Sequence, residues 1–264
     1  MVIEMNKIVA IMLVGLLLLG IYGCWLSAEH EELSQSYNSL VFAYDGLSKS
    51  IFSYAQPNCT AVTIVYFTNF SGNRQIASFS IPYGMYNNYH VRFHPYWNAQ
   101  NLDSANEYIT SNETIVLQIV EKIRNETQSE EELANALLDF VQYKGFTLSI
   151  RYYPTIELKY PIETLVEMGG DCDTHSFLYA TLMKAAGFKV LVLLSKGAVS
   201  NGLPHAATAV HLANPPSHSL PGCEDKVFIY NNETYYFAET TTSNYRVGDL
   251  PTWLKGVDFY IIPV

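Results

Sequence analysis

Ile115, Val116, Ile119, Val120 and Ile123 recur three and four positions apart, and so do Leu133, Ala136, Leu137, Phe140 and Val141. This period predicts two amphipathic helices, over residues 112–124 and 130–143. Each is preceded by a Ser/Thr-x-x-Glu pattern, Thr110 to Glu113 and Ser129 to Glu132, the composition of a capping box. Phe177, Leu178, Leu182, Ala185 and Ala186 predict a third helix that opens near Cys172 and closes at Gly187. Other segments are dense in Val, Ile, Thr, Tyr and Phe and read as strands. Two lie early, Thr60 to Phe67 and Gln75 to Ile81, with Ser71-Gly72-Asn73 punctuating them. The others follow the third helix, at Phe188–Ser195, His205–Leu212, Lys226–Tyr230, Thr234–Thr240 and Val257–Ile262. The stretch from Gly145 through Pro161 is expected to be extended. Helices first and strands after predict an α+β domain with an antiparallel sheet.

A different pattern marks the start of the chain. Residues 8–26 carry no charge, and about 20 apolar residues in a helix span a bilayer core. Lys7 precedes the stretch, and Glu29, Glu31 and Glu32 follow it, which places the remainder outside the cytoplasm. The expectation is a membrane-anchored, extracytoplasmic protein. A cleaved signal peptide and a lipoprotein signal ending at Cys24 stay open as alternatives. The chain then divides into an anchor or signal segment (1–28), a β-rich region (29–105) and a larger domain (106–264).

Composition narrows the class of partner. The 264 residues carry a net charge of -10. Such a surface repels phosphate backbones, so nucleic acid is not an expected ligand. Of four cysteines, Cys24 falls in the apolar stretch. Cys59 and Cys223 can pair if the body lies outside the cell, which singles out Cys172 as a free thiol. Five Asn-x-Ser/Thr sequons, at Asn58, Asn69, Asn112, Asn125 and Asn232, agree with export.

Chemistry concentrates after residue 168. Gly169-Gly170-Asp171-Cys172-Asp173 opens the third helix, with Asp171 suited to its N-cap. A cysteine in a first helical turn meets free N–H groups and the helix dipole, which favour its thiolate. Two glycines would let a substrate backbone approach. Asp171 and Asp173 oppose ionisation, so the thiol needs a base. His205 heads an apolar strand, and Glu239 ends another. One imidazole nitrogen can take the thiol proton while the other is oriented by the carboxylate. His211 lies on the same strand face as His205 and is the alternative base. His175, three residues past Cys172, is read as a packing or capping residue, and Asp173 as a partner of the helix dipole. His90 and His94 lie in an aromatic loop and are assigned no role. Zinc held by Cys172, His175 and His205 or His211 would need a Cys-x-x-Cys or His-x-x-x-His spacing among them, and none is there. No metal or cofactor is expected.

With Gly170-Asp171-Cys172-Asp173, Leu178, Leu182, Ala186-Gly187, His205-Ala206 and Tyr236-Phe237-Ala238-Glu239-Thr240-Thr241 on the page, residues 106–250 resemble the transglutaminase-like superfamily of papain-related thiol enzymes, in its membrane-anchored archaeal or bacterial form. Tyr160-Pro161-Ile162-Glu163-Thr164-Leu165 adds to the likeness. The resemblance implies a papain/transglutaminase-like core with a cysteine-bearing helix on an antiparallel sheet. It implies Cys172 as nucleophile, His205 as general base and Glu239 as orienting acid, where many relatives have aspartate. Ala207 stands where relatives often have an aromatic residue. The oxyanion would be met by the Cys172 N–H and an upstream donor, Gln142 or Tyr143. The expected activity is peptide or amide hydrolysis, or acyl transfer, through a thioester on a protein or peptide substrate. The alternative is a non-catalytic peptide- or protein-binding module on the same fold.

Overall fold

The computed structural model describes residues 60–68, 74–144, 149–155, 157–199, 202–217 and 224–264. All of them belong to one unit, Ala55–Val264. The apolar stretch 8–26 and Cys24, Cys59 and Cys223 lie outside these residues. Among the described residues no helix is long and apolar enough to cross a membrane.

Strands β1 (Thr60–Thr68) and β2 (Arg74–Pro82) form an antiparallel hairpin. Among the described residues, two later segments of the stretch expected to be β-rich are helical. Helix α1 (Tyr83–His90) follows β2 directly, and a 3-10 helix covers Leu102–Tyr108. The reason is tertiary: Tyr86, Tyr89 and Tyr108 are buried, so aromatic packing fixes a segment that has little helical period of its own.

The periodic helices form as α2 (Thr114–Arg124) and α3 (Glu130–Val141), each burying its apolar face. Their caps differ from expectation. Ser129 accepts the Glu132 N–H at 3.1 Å, but the Glu132 carboxylate turns to the Gln128 N–H. No side chain caps α2, because the Glu113 carboxylate is taken by the Tyr89 hydroxyl. Two short parallel strands, β3 (Arg151–Tyr152) and β4 (Gly169–Gly170), bracket helix α4 (Pro161–Glu167). The sequence did hold signals for α4. Pro161 occupies its first turn, and Glu163 reaches back to the Tyr160 N–H at 2.9 Å. Met168, in the left-handed region at φ 54°, ends it.

Helix α5 (Cys172–Ala185) is followed by β5 (Val190–Ser195), β6 (Ala206–His211), β7 (Glu224–Asp225), β8 (Val227–Tyr230), β9 (Glu233–Ala238), β10 (Asp249–Leu250) and β11 (Phe259–Pro263). Five of these strands make an antiparallel sheet in the order β11-β5-β6-β9-β8. The fold is therefore α+β, as the order of patterns predicts. Strands β5 and β6 are apolar at almost every position because both faces of the sheet are covered. Leu191, Leu193, Ala207, Ala209 and Phe237 turn to one face and join Leu250, Leu254 and Phe259. The alternate residues turn to the other face, and α5 packs on both strands.

Phe177 ties this layer to the segments before it. Its ring is fully buried, stacks on Tyr108 at 4.6 Å and meets Trp97 edge-on at 5.1 Å. Truncation leaves a cavity that these large rings cannot close. Phe177→Ala is expected to lower unfolding stability by about 3–5 kcal/mol, measured by urea denaturation. A loss below about 1 kcal/mol would show that this aromatic cluster does not hold the layers together.

Candidate active site

Cys172 is the first residue of α5 and is partly exposed. The chain arrives there through the β3–β4 pairing, with the Arg151 N–H on the Met168 carbonyl and the Tyr153 N–H on the Gly170 carbonyl, both at 2.9 Å. Asp171 is the N-cap: its carboxylate accepts the Thr174 hydroxyl at 3.0 Å and the Thr174 N–H at 3.4 Å. The glycines serve this local packing and not the approach of a substrate. A Cβ on Gly170 would lie 2.4 Å from a Thr174 carbon, and one on Gly169 would lie 2.9 Å from the Arg151 carbonyl oxygen. Their bare faces are filled by the protein's own chain.

His205 lies immediately before β6 and is buried. Its N–H donates to the Ser195 hydroxyl oxygen at 2.8 Å, and its carbonyl accepts the Ser195 N–H at 2.9 Å. The imidazole Nε2 meets a Glu239 carboxylate oxygen at 2.9 Å. That bond occupies Nε2 and leaves Nδ1 as the nitrogen open to another proton. Trp253 packs edge-on against the ring at 4.8 Å.

Glu239 follows β9 and is wholly buried. Its second oxygen accepts both the N–H of Thr241, at 2.9 Å, and the Thr241 hydroxyl. Burial pushes this carboxyl's pKa up, but His205 and the Thr241 bonds outweigh burial and hold it below the usual value. The backbone around it is equally constrained. Gln142 donates to the Glu239 carbonyl at 2.8 Å and to the Tyr245 carbonyl at 3.0 Å. The Tyr143 N–H bonds the Thr241 carbonyl at 3.2 Å. Thr240 meets Ser176 through its hydroxyl at 3.0 Å and His175 Nδ1 through its carbonyl at 3.2 Å.

Two electrostatic influences link Cys172 to this pair. The backbone N–H of Ala206, the residue after His205, favours its thiolate. The Glu239 charge acts on it, as do those of Asp173 and Asp171. Burial, first, and then these carboxyls push the thiol pKa up; the Ala206 bond pulls it down without reversing the shift. The resting group is a thiol, so the helix N-terminus alone does not ionise it. Asp173 is itself pushed well above the usual carboxyl range by burial and its contact with Asp171, and a protonated Asp173 withdraws its charge from the sulfur.

Of the other residues read from sequence, Gln142 and Tyr143 hold the Glu239–Thr242 segment. Both amide N–H groups of Gln142 go to backbone carbonyls, so it stands as a positioning residue and not as an oxyanion donor. His175 is a packing residue: it is fully buried between the Thr240 and Arg151 carbonyls, and burial lowers its pKa. His211 sits at the far end of β6, bonded to the Thr234 carbonyl at 2.9 Å, away from the cysteine. Sequence reasoning missed Tyr152, Ser195 and Trp253. The Tyr152 hydroxyl is pushed up to about 12 by burial and then by Cys172, Asp171 and Glu239, which places it beside the nucleophile's end of α5. No local signal links Tyr152 or Trp253 to the motifs; only the β3–β4 pairing and the packing of the 3-10 turn Thr252–Leu254 bring them in.

Compared with known proteins, the sequence matches no family model and no curated protein.

The Glu239 shift gives a pH dependence of fixed sign. Its folded pKa lies below the ordinary glutamate value of about 4.3, so its stabilisation is fully present above that value. It is lost as pH falls through the folded pKa. Urea denaturation from pH 3 to 7 should show stability falling below about pH 4.3 in the native protein. Glu239→Gln should lose part of that slope and be less stable at pH 7. An unchanged slope would mean that the pKa of Glu239 does not shift on folding.

Proposed function

We propose that this protein is a thiol-dependent peptide or amide hydrolase, or acyl transferase, with Cys172 as nucleophile, His205 as general base and Glu239 as the acid that orients it. The observation that carries this reading is the His205 Nε2 to Glu239 bond of 2.9 Å beside a cysteine that opens a helix. That arrangement, a cysteine-bearing helix packed on an antiparallel sheet with the base and acid at the adjoining ends of neighbouring strands, supports a papain/transglutaminase-like core and a place in the transglutaminase-like superfamily. The apolar stretch 8–26 supports a membrane-anchored, extracytoplasmic protein, with peptides or proteins at the cell surface as substrates.

The reaction follows from the proton positions. His205 Nδ1 takes the Cys172 proton as the sulfur attacks the amide carbon, and the Glu239 carboxylate stabilises the imidazolium. The oxygen of the tetrahedral intermediate is met by the Cys172 N–H, which has no partner within α5 because it lies in the first turn. His205 returns its proton to the leaving amine, the C–N bond breaks, and a thioester remains. Water, deprotonated by His205, attacks the thioester and releases the acid and the thiol. An amine in place of water gives transfer. The reaction begins from a protonated thiol, so the base works during attack and no resting thiolate is required.

The raised thiol pKa favours a second reading, a peptide-binding module on the same fold in which Cys172 does not turn over. One experiment separates them. The purified chain is treated with iodoacetamide from pH 4 to 9, and the modified cysteine is mapped by mass spectrometry. The enzyme reading expects Cys172 to label at pH 7 at least tenfold faster than in His205→Ala. Labelling that rises only near the free-thiol pKa of about 8.5, with no response to His205→Ala, would overturn that reading in favour of the binding module.

A further inference from the structure

Beyond the cysteine site, two spacings in the sequence meet in space. His90 and His94 are four residues apart, and so are Glu163 and Glu167. The glutamates share one face of α4, and α1 packs against α4. The ligand atoms of His90, Glu163 and Glu167 all lie within 4.8 Å of one another. His90 Nδ1 is 3.2 Å from a Glu163 oxygen and 3.9 Å from a Glu167 oxygen. Metal–ligand bonds of about 2.1 Å set neighbouring donors roughly 3.0–3.5 Å apart. His90 Nδ1 thus stands at ligand spacing from Glu163 and a few tenths of an ångström beyond it from Glu167.

Charge points the same way. The Glu163 and Glu167 side chains are only 4% and 1% exposed. Lys159 answers Glu167, at 2.7 Å from its other oxygen, and is held protonated: burial lowers its pKa, but Glu167 and Tyr153 raise it further. Among the described residues no lysine or arginine pairs with Glu163. Its carboxylate faces His90, His94 at 2.7 Å and the Tyr160 N–H at 2.9 Å. Two buried carboxylates side by side favour a cation between them, and Lys159 reaches only Glu167.

We propose that His90, Glu163 and Glu167 bind one divalent first-row transition-metal cation, of which zinc is the type. One imidazole and two carboxylates suit that class better than calcium or magnesium, which take oxygen alone. His94 holds the second Glu163 oxygen, and the Tyr86 hydroxyl donates to the ligating Glu167 oxygen at 2.8 Å, so both carboxylates are oriented from outside the shell. His90 is 43% exposed, which gives the ion an entry path and leaves a coordination position open to water. The site's effect is structural. Glu167 ends α4, Lys159 also bonds the Gly169 carbonyl at 3.1 Å, and Gly169 leads into the turn that carries Cys172. This inference does not depend on the proposed reaction.

The test uses the full, untagged chain, stripped with EDTA and with its cysteines alkylated so that no thiol can bind metal. Zinc is titrated in by calorimetry at pH 7.5, and melting is followed with and without it. One equivalent should bind and raise the melting temperature. His90→Ala, which changes a half-exposed side chain, and Glu163→Gln should each weaken binding at least tenfold. Cobalt in place of zinc should give visible d–d bands without a thiolate charge-transfer band. No uptake of zinc or cobalt by the native chain, or uptake unchanged in both variants, would overturn the proposal.

Discussion

The buried carboxylate of Glu239 is the constraint around which this end of the molecule is arranged. A carboxylate removed from water must be given partners for nearly all of its lone pairs. Here one oxygen takes the imidazole of His205 and the other takes two donors from Thr241. Those partners lie on the segments that β6 and β9 present at one end of the sheet, so satisfying the charge fixes their register as well. Gln142 and Tyr143, at the end of α3, then bond the backbone that carries the acid. A charge that needs this much support is poorly explained by stability alone, since a well-packed apolar pair costs less to bury. What the arrangement does provide is an imidazole held in one orientation with one nitrogen free.

The same end of the sheet is tied to the cysteine by α5. His175 and Ser176, one turn after Cys172, bond Thr240, the residue after the acid. Cys172 and Glu239 are thus set in one hydrogen-bonded frame, while His205 is held by Ser195 on β5. Behind that frame, Phe177 and its aromatic neighbours fix the height of the helix over the preceding segments. Several tyrosines work at both ends: Tyr86, Tyr108 and Tyr160 bury their rings and spend their hydroxyls on Glu167, the Pro95 carbonyl and the Phe93 carbonyl. This gives a physical use for some of the twenty tyrosines in the chain.

Much of this was legible before any coordinates, and the parts that were not share a cause. Helices α2, α3 and α5 and the strands of the main sheet announce themselves through periodicity, because each buries one face or is apolar on both. Cys172, His205 and Glu239 stood out because chemistry-bearing residues at element ends are conspicuous against apolar runs. Helix α1 and the 3-10 turn before Tyr108 were not legible: their conformation comes from aromatic contacts with residues distant in sequence. The glycines before Cys172 were read correctly as a close approach, but the approaching group is Thr174 and Arg151 instead of a substrate. The His90-x-x-x-His94 spacing was passed over because its glutamate partners lie some seventy residues away. Spacing within one segment cannot show which other segment will face it.

The thiol at the site raises a question that burial and charge together answer. A helix N-terminus favours a thiolate by roughly 0.3–1 kcal/mol for an exposed group, yet Cys172 lies among carboxyls and is pushed the other way. A protein that needed a standing thiolate would not place Asp171 and Asp173 on either side of it. One carboxyl, however, is required as the N-cap that starts the helix, and the other shares its surroundings and is driven toward its neutral form. In the proposed reaction the sulfur stays protonated at rest and becomes reactive as His205 takes its proton during attack. The proton can then pass to an imidazole whose positive charge Glu239 is already placed to stabilise. A protonated thiol of this kind is spared oxidation, because the thiolate is the species that oxidants attack. If the proposed reaction holds, the carboxyls beside the cysteine, which look like an obstacle to it, set when the sulfur gives up its proton.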